Sequence, residues 1–113
     1  MILIEIGLNM DASKTEIDIK NNSVIFEFKQ DDKFDADILI KMEKSFLELD
    51  PTKILEVQLK GPAPIETVAY CAEVSSHCDM ILTVSSTESF KFIKDLQQTN
   101  PTTIKLIQEN ENG

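Results

Sequence analysis

Apolar residues occupy every second position in several parts of the chain, a pattern typical of β-strands. Ile2, Ile4 and Ile6 form the first such run and predict a strand near the beginning of the sequence. Two further alternating runs, at residues 17–19 and 24–28, are separated by Asn21-Asn22-Ser23. Because turn-forming residues join them, these two runs predict a β-hairpin.

From Asp35 the apolar residues recur every three or four positions, as in an amphipathic helix. This helix is expected to end at Asp50-Pro51. A run rich in β-formers, from Ile54 to Lys60, predicts a buried strand. The strongest break in the chain then follows at Gly61-Pro62-Ala63-Pro64. Pro64 is well placed for the first turn of a second helix, since a missing N–H costs nothing there.

The second helix is expected to continue to about His77, and a strand is expected at residues 80–84. Residues 86–96 fit two structures. A capping box from Ser85 to Glu88 and later apolar residues at helical spacing favour a helix, whereas Phe90 and Phe92 around Lys91 favour a strand. A last strand is predicted at residues 104–107. The chain is therefore interpreted as one domain over residues 1–108, with a polar tail at 109–113.

The charge of the chain limits its partners. Its 113 residues include 20 acids and 11 cations, all of them Lys, which gives a net charge of −9. A duplex nucleic acid or an anionic membrane would require a basic surface, so neither is expected as a partner. The sequence shows no signal peptide and no apolar run near the ~20 residues that span a bilayer, so a cytoplasmic location is expected. Cys71 and Cys78 lie about 10 Å apart along a helix, so free thiols are expected.

Four polar residues of the second helix share one face, because Glu66, Tyr70, Glu73 and His77 are spaced four, three and four apart. In the functional interpretation, Glu73 orients His77, which acts as a general acid or base or as a metal ligand. Two ligands from one helix are too few for a Mn²⁺ or Mg²⁺ site without help from another element. The pattern alone favours the simpler interpretation, a solvent-facing stripe.

The Gly61-to-Pro64 junction is the second candidate site. A strand that turns into a helix exposes backbone N–H groups, which can bind an anion. Glu66 in the first turn opposes a bound phosphate, and the chain has no Lys between Lys60 and Lys91. A purely structural turn is again the simpler interpretation.

The stretch from Leu59-Lys60-Gly61-Pro62-Ala63 through a helix of small residues to His77 and Val84 resembles a known family. It is similar to the small CRISPR-associated proteins of type III systems that form the third class of ring nucleases. These proteins bind and degrade cyclic oligoadenylate second messengers. The resemblance covers roughly residues 53–84.

This resemblance implies an α+β, ferredoxin-like single domain with a mixed sheet of about five or six strands and two or three helices on one side. It also implies a homodimer or tetramer that encloses cyclic oligoadenylate, and a catalytic site that can use Mn²⁺. By this comparison His77 is a catalytic residue and metal ligand, and the helical spacing adds Glu73 as its orienting partner. The candidate ligand-binding residues are Lys60, Gly61, Pro62 and Ala63 of the turn, together with Glu66 and Tyr70 of the helical stripe.

The sequence departs from this family after Val84. The family has an Asp-Pro turn and a second His, whereas this chain has Ser85-Ser86-Thr87-Glu88-Ser89 and no other His. Only Glu88 or Asp95 is available to replace the carboxylate. The expected function is therefore binding of cyclic oligoadenylate, with degradation dependent on a rebuilt site.

The chain also resembles the anti-sigma-factor antagonist domains, which have a hairpin, a helix, a strand and an Ile-Asp-Ser turn that begins a helix. Here Ile65-Glu66-Thr67 occupies that place. This second resemblance implies a non-enzymatic interaction domain regulated by phosphorylation of Thr67, and it predicts a helix at residues 87–98.

Overall fold

The computed structural model describes residues 14–100 and 102–109. The strand predicted at residues 2–6 lies outside the described residues, as do Pro101 and residues 110–113 of the predicted tail. The described elements are β1 (Lys14–Asp18), β2 (Ser23–Glu27), α1 (Ala36–Leu47), β3 (Leu55–Lys60), α2 (Ile65–Val74), β4 (Met80–Val84), α3 (Thr87–Thr99) and β5 (Ile104–Gln108).

The predicted hairpin is confirmed, because β1 and β2 pair in antiparallel fashion. Its turn contains Asn22, whose φ of 55° is a left-handed conformation that Asn tolerates better than most residues. The side-chain amide of Asn22 donates to the carbonyl oxygens of Asp50 and Ile54 at 3.0 and 3.1 Å. Its own oxygen accepts from the Asp50 N–H at 2.7 Å. These bonds attach the hairpin to the loop that precedes β3.

The five strands form one sheet in the order β1-β2-β3-β4-β5. Strands β2 to β5 are parallel, and one helix connects each neighbouring pair. Residues of all three helices share one core cluster with alternate residues of β3 and β4, so the three helices lie on the same face of the sheet. The expected α+β class, with a mixed sheet and helices on one side, is confirmed and is the class to which ferredoxin-like folds belong. The element order, ββαβαβαβ rather than βαββαβ, is a finding of the structure.

The core lies between this sheet and the helices. Val57 and Leu82 are register partners at the sheet centre and are almost fully buried. Gln58 and Thr83, one position further along, are also partners but are only half-buried. Helix residues of the same core cluster are Ile38, Met42, Val68, Cys71 and Ile93. One side of the sheet is therefore packed against α1, α2 and α3, and among residues 14–100 and 102–109 no helix covers the other side, here called the helix-free face.

Residues 87–96 belong to a helix that Ser86 caps, which resolves the ambiguity left by the sequence. Helix α3 begins after Ser86, whose hydroxyl accepts from the Ser89 N–H at 3.4 Å, so the predicted cap at Ser85 is wrong by one residue. Helix α1 begins at the predicted place, where the Asp35 carboxylate accepts from the Ile38 N–H at 3.0 Å. Within the described part of the chain, no helix combines the length and apolar character needed to cross a bilayer.

Helix α2 ends at Val74, so the prediction that it continues to about His77 is wrong by three residues. The hydroxyls of Ser75 and Ser76 donate to the carbonyl oxygens three residues before them, at 2.6 and 2.7 Å. Those carbonyls would otherwise accept the N–H groups of a further helical turn. The His77 N–H donates to the Val74 carbonyl oxygen at 3.0 Å, three residues earlier rather than the four of an α-helix. His77 consequently lies in the turn after α2.

Candidate functional site

The turn after β3 requires glycine at position 61. Gly61 has a φ of +81°, which side-chain-bearing residues rarely adopt. A Cβ atom there would lie 2.4 Å from the carbonyl oxygen of Phe28. The Phe28 N–H donates to the Lys60 oxygen at 2.9 Å, so the two backbones are held against each other. The Gly61 that marks the predicted break therefore has a structural function, whether or not it also contacts a ligand.

The other residues of the predicted anion site do not converge. Lys60 follows the fully buried Leu59, so alternation along β3 places the Lys60 side chain on the helix-free face. Ala63 is part of the core, and Pro62 is exposed. Since α2 packs on the opposite face, the Lys60 side chain leaves β3 on the side of the sheet away from that helix.

The predicted polar stripe is interrupted where α2 ends. Glu66, Tyr70 and Glu73 line the same groove on the protein surface. His77 is exposed in the following turn and does not line that groove. Among the described residues, no hydrogen bond or ion pair joins Glu73 to His77. The carboxylate–imidazole pair expected from the sequence is therefore not formed in this conformation.

The described residues do not fit the manganese site that the ring-nuclease resemblance implies. Within residues 14–100 and 102–109, no three His, Cys, Asp or Glu side chains are close enough together to hold a metal ion. Among these residues His77 belongs to no such cluster, and neither Glu88 nor Asp95 of α3 joins it in one. The set of converging ligands that a manganese ion needs is therefore missing from this part of the chain.

A groove of about 830 Å³ opens between α2 and α3. Ala69 and Ala72 leave space on the α2 side, while Phe92 and Leu96 contribute apolar surface from α3. The remaining lining residues are Phe34, Glu66, Tyr70, Glu73, Ser75, Ser76, Asn100, Thr102 and Thr103. Apolar atoms nevertheless make up most of the exposed surface of the groove, and polar side chains complete its lining.

The charges at the border of this groove are negative. Glu66 and Glu73 are its charged lining residues, and no Lys is among the residues that line it. Tyr70 packs its ring 5.9 Å from that of Phe46. Burial raises the pKa of the Tyr70 hydroxyl above 10, and the nearby carboxylates, chiefly that of Glu43, raise it further. The site is therefore an apolar surface in a negative electrostatic environment, and Tyr70 is a neutral hydrogen-bonding group within it.

Thr67 is enclosed in the folded protein. Its side chain is 0% exposed, and its hydroxyl donates to the Pro64 oxygen at 2.6 Å. A kinase needs an accessible hydroxyl, so phosphorylation would require the start of α2 to open. The geometry thus weighs against Thr67 as a switch in this conformation.

The two thiols of the described chain are free, as expected, and neither is activated. Complete burial raises the pKa of Cys71 to about 12. Partial burial, with the nearby Asp79 carboxylate, also raises the pKa of Cys78. Neutral thiols are weak nucleophiles, so neither residue is prepared for covalent catalysis.

The groove itself was not predicted from the sequence. Three of its apolar residues, Phe34, Phe92 and Leu96, are far in the chain from the proposed stripe. The sequence pattern predicts only the local structure around Phe92 and Leu96, and it makes no prediction for Phe34. The available signal was the pair Ala69 and Ala72 on α2, whose small side chains leave a helix surface unfilled. Without the sheet order, that pair does not identify α3 as the opposite wall.

Comparisons with known proteins give no match to this chain. No family model matches it, and neither the curated proteins nor the solved structures include a similar chain at the significance required. The function must therefore be inferred from the groove, the turn at Gly61 and their chemistry.

Proposed function

We propose that this chain is a non-enzymatic protein-interaction domain that binds its partner through the groove between α2 and α3. The observation that carries this proposal is the groove itself, which combines an apolar surface with an acidic border. Exposed apolar surface bordered by polar groups is typical of a site that another molecule covers. The described part of the chain shows no activated thiol and no cluster of metal ligands.

The resemblance to anti-sigma-factor antagonist domains supports this proposal. That family predicts a helix at residues 87–98, and α3 spans Thr87–Thr99. The ring-nuclease family has instead a strand after its Asp-Pro turn, which corresponds to the alternative interpretation of this segment. Phosphorylation of Thr67 is not included in the proposal, because its hydroxyl is enclosed.

The proposal is tested by chemical crosslinking and affinity purification from the source organism with three forms of the protein. These are the wild type, Ala69→Arg and the control Glu56→Arg. Ala69 is exposed in the groove, whereas Glu56 is exposed on the helix-free face. A partner that is retained by the wild type and the control but lost by Ala69→Arg is then purified, and its binding is measured by isothermal titration calorimetry.

We expect a one-to-one complex with the wild type and the control, and binding at least tenfold weaker with Ala69→Arg. Circular dichroism and urea unfolding must first show that all three proteins fold equally well. Partners that bind the Ala69→Arg protein as tightly as the wild type would contradict a binding function for this groove.

We also propose a second function, the binding of cyclic oligoadenylate without efficient cleavage. It is supported by the resemblance of residues 61–84 to the ring nucleases and by the continuous unit of β3, the Gly61 turn, α2 and β4. In this proposal the ring contacts backbone N–H groups of the turn, Lys60 and His77.

Titration with cyclic tetra- and hexa-adenylate, followed by product analysis in Mn²⁺, tests this second proposal. If the protein binds a ring without cleaving it, and His77→Ala binds it with the same affinity, the protein sequesters the ring. If neither ring binds at micromolar protein concentration, the second proposal is rejected and the first is unaffected.

A further inference from the structure

The shape of the groove fits a helix. Its two walls are α2, with 10 residues, and α3, with 13 residues. At 1.5 Å per residue, α2 provides a wall of about 15 Å, which matches roughly three turns of a partner helix. Ala69 and Ala72 leave space along this wall, and Phe92 and Leu96 present half-buried apolar atoms opposite them. An amphipathic helix binds such a groove through its apolar face.

The charge of the groove indicates which kind of partner helix it would bind. Glu66 and Glu73 are both exposed, lie seven residues apart on α2 and are the charged residues of the lining. Seven residues are two helical turns, so the two carboxylates lie about 10 Å apart along the same edge. Glu43 of α1 adds negative charge close to Tyr70. A helix with cations beside its apolar face would place them next to these carboxylates.

We infer that the groove between α2 and α3 receives a basic amphipathic helix from a partner protein. The apolar residues of that helix contact Ala69, Ala72, Phe92 and Leu96, and its Lys or Arg side chains pair with Glu66 and Glu73. This inference rests on the proposed function and specifies the chemistry of the partner.

Charge also argues against a second copy of this chain as the occupant. The chain carries a net charge of −9, and α1, α2 and α3 each have an acid in the first turn. A second copy would bring like charges to the border of the groove, which is unfavourable. A basic partner would be attracted to the whole molecule before it reaches the groove, and this attraction would weaken as salt increases.

The inference is tested by fluorescence anisotropy with labelled synthetic 18-residue peptides made of Leu and Lys. One peptide places Leu on a single helix face, a second has the same composition in scrambled order, and a third replaces Lys by Glu. The protein is tested as wild type, as the double variant Glu66→Gln/Glu73→Gln, and as the control Glu16→Gln/Glu56→Gln. The control removes two exposed carboxylates from the helix-free face and leaves the net charge equal to that of the groove variant.

We expect the amphipathic Lys peptide to bind the wild type and the control alike, and to bind the groove variant about fivefold more weakly, as expected for two exposed ion pairs. Binding of the wild type should weaken between about 20 and 200 mM salt. Equal binding of the scrambled peptide, equal loss in both variants, or preference for the Glu peptide would overturn the inference. If the native partner of the Ala69→Arg experiment is not a basic helix, the interaction function remains and only this inference fails.

Discussion

Replacing Gly61 by Ala tests whether the turn after β3 is as constrained as its geometry indicates. The φ of +81° is unfavourable for Ala by about 1–2 kcal/mol. In addition, the new Cβ would lie 2.4 Å from the Phe28 carbonyl oxygen, a backbone atom that moves only if the chain after β2 moves. The Phe28–Lys60 backbone hydrogen bond of 2.9 Å resists that movement.

The expected loss of stability follows from three contributions. The contact between the new Cβ and the Phe28 oxygen is an overpacked contact, which typically costs about 1–3 kcal/mol. This cost adds to the free-energy cost of the positive φ. Ala also lowers the entropy of the unfolded chain, which returns about 0.4–1 kcal/mol. We therefore expect Gly61→Ala to lower the free energy of unfolding by about 2–4 kcal/mol. Gly61→Asn should lose about 1 kcal/mol less, because Asn tolerates positive φ but brings the same Cβ contact.

Urea unfolding followed by circular dichroism measures these differences. With a denaturant slope of about 1–3 kcal/mol per molar for a small protein, the midpoint of Gly61→Ala should fall by at least about 0.7 M. Pro62→Ala, at the neighbouring exposed position, is the control and should change the free energy by less than about 1 kcal/mol. A Gly61→Ala protein within about 0.5 kcal/mol of the wild type would refute the argument from backbone contact.

Three further predictions concern buried polar groups. Asn22→Ala should lower the free energy of unfolding by about 2–3 kcal/mol in urea titrations, since it removes three hydrogen bonds to the loop before β3, whereas the exposed Asn21→Ala should lose less than about 1 kcal/mol. The pKa of Cys71, raised from 9.0 to about 12, gives stability that is present below pH 9 and lost as the pH rises toward 12. Unfolding titrations at pH 8 to 10.5 should thus show a slope up to about 1.4 kcal/mol per pH unit steeper in the wild type than in Cys71→Ala, and equal slopes would contradict the burial argument. Finally, the folded protein should take up no phosphate at Thr67 from a broad-specificity Ser/Thr kinase, as measured by phosphopeptide mass spectrometry, and stoichiometric modification there would contradict the enclosed geometry.

The features that the sequence predicted well are local. The hairpin follows from alternation around Asn21-Asn22-Ser23, and α1 follows from a helical period that begins after the capping residue Asp35. Neither depends on contacts distant in the chain. The start of α3 was harder to predict, because Phe90 and Phe92 have the period of a strand and that of a helix at once. The helical conformation buries Ser89 and Ile93 on the inner side of α3, and that burial is a property of the assembled core.

The candidate site shows where prediction from the sequence ends. The stripe from Glu66 to His77 assumed an uninterrupted helix, but Ser75 and Ser76 bond their hydroxyls to the preceding turn and end it. The groove depends on which helices are neighbours, and this depends on the strand order. Periodicity identifies the apolar residues of each helix but not the helix that faces them. For this reason the helical period places Glu66, Tyr70 and Glu73 on one face, where they line the groove, but it does not identify the apolar residues of α3 that line the groove with them.

The chemistry of α2 favours a protein partner over a cyclic oligoadenylate. A ring of phosphates needs several donors that converge, and the beginning of a helix can provide them. Here the Thr67 and Val68 N–H groups donate to the Pro64 oxygen, and Pro64 has no N–H of its own. The charged side chain in the first turn is the carboxylate of Glu66, while the Lys60 side chain leaves β3 on the face away from α2. Each of these features weakens a phosphate site, and none of them weakens a groove that binds apolar side chains flanked by cations.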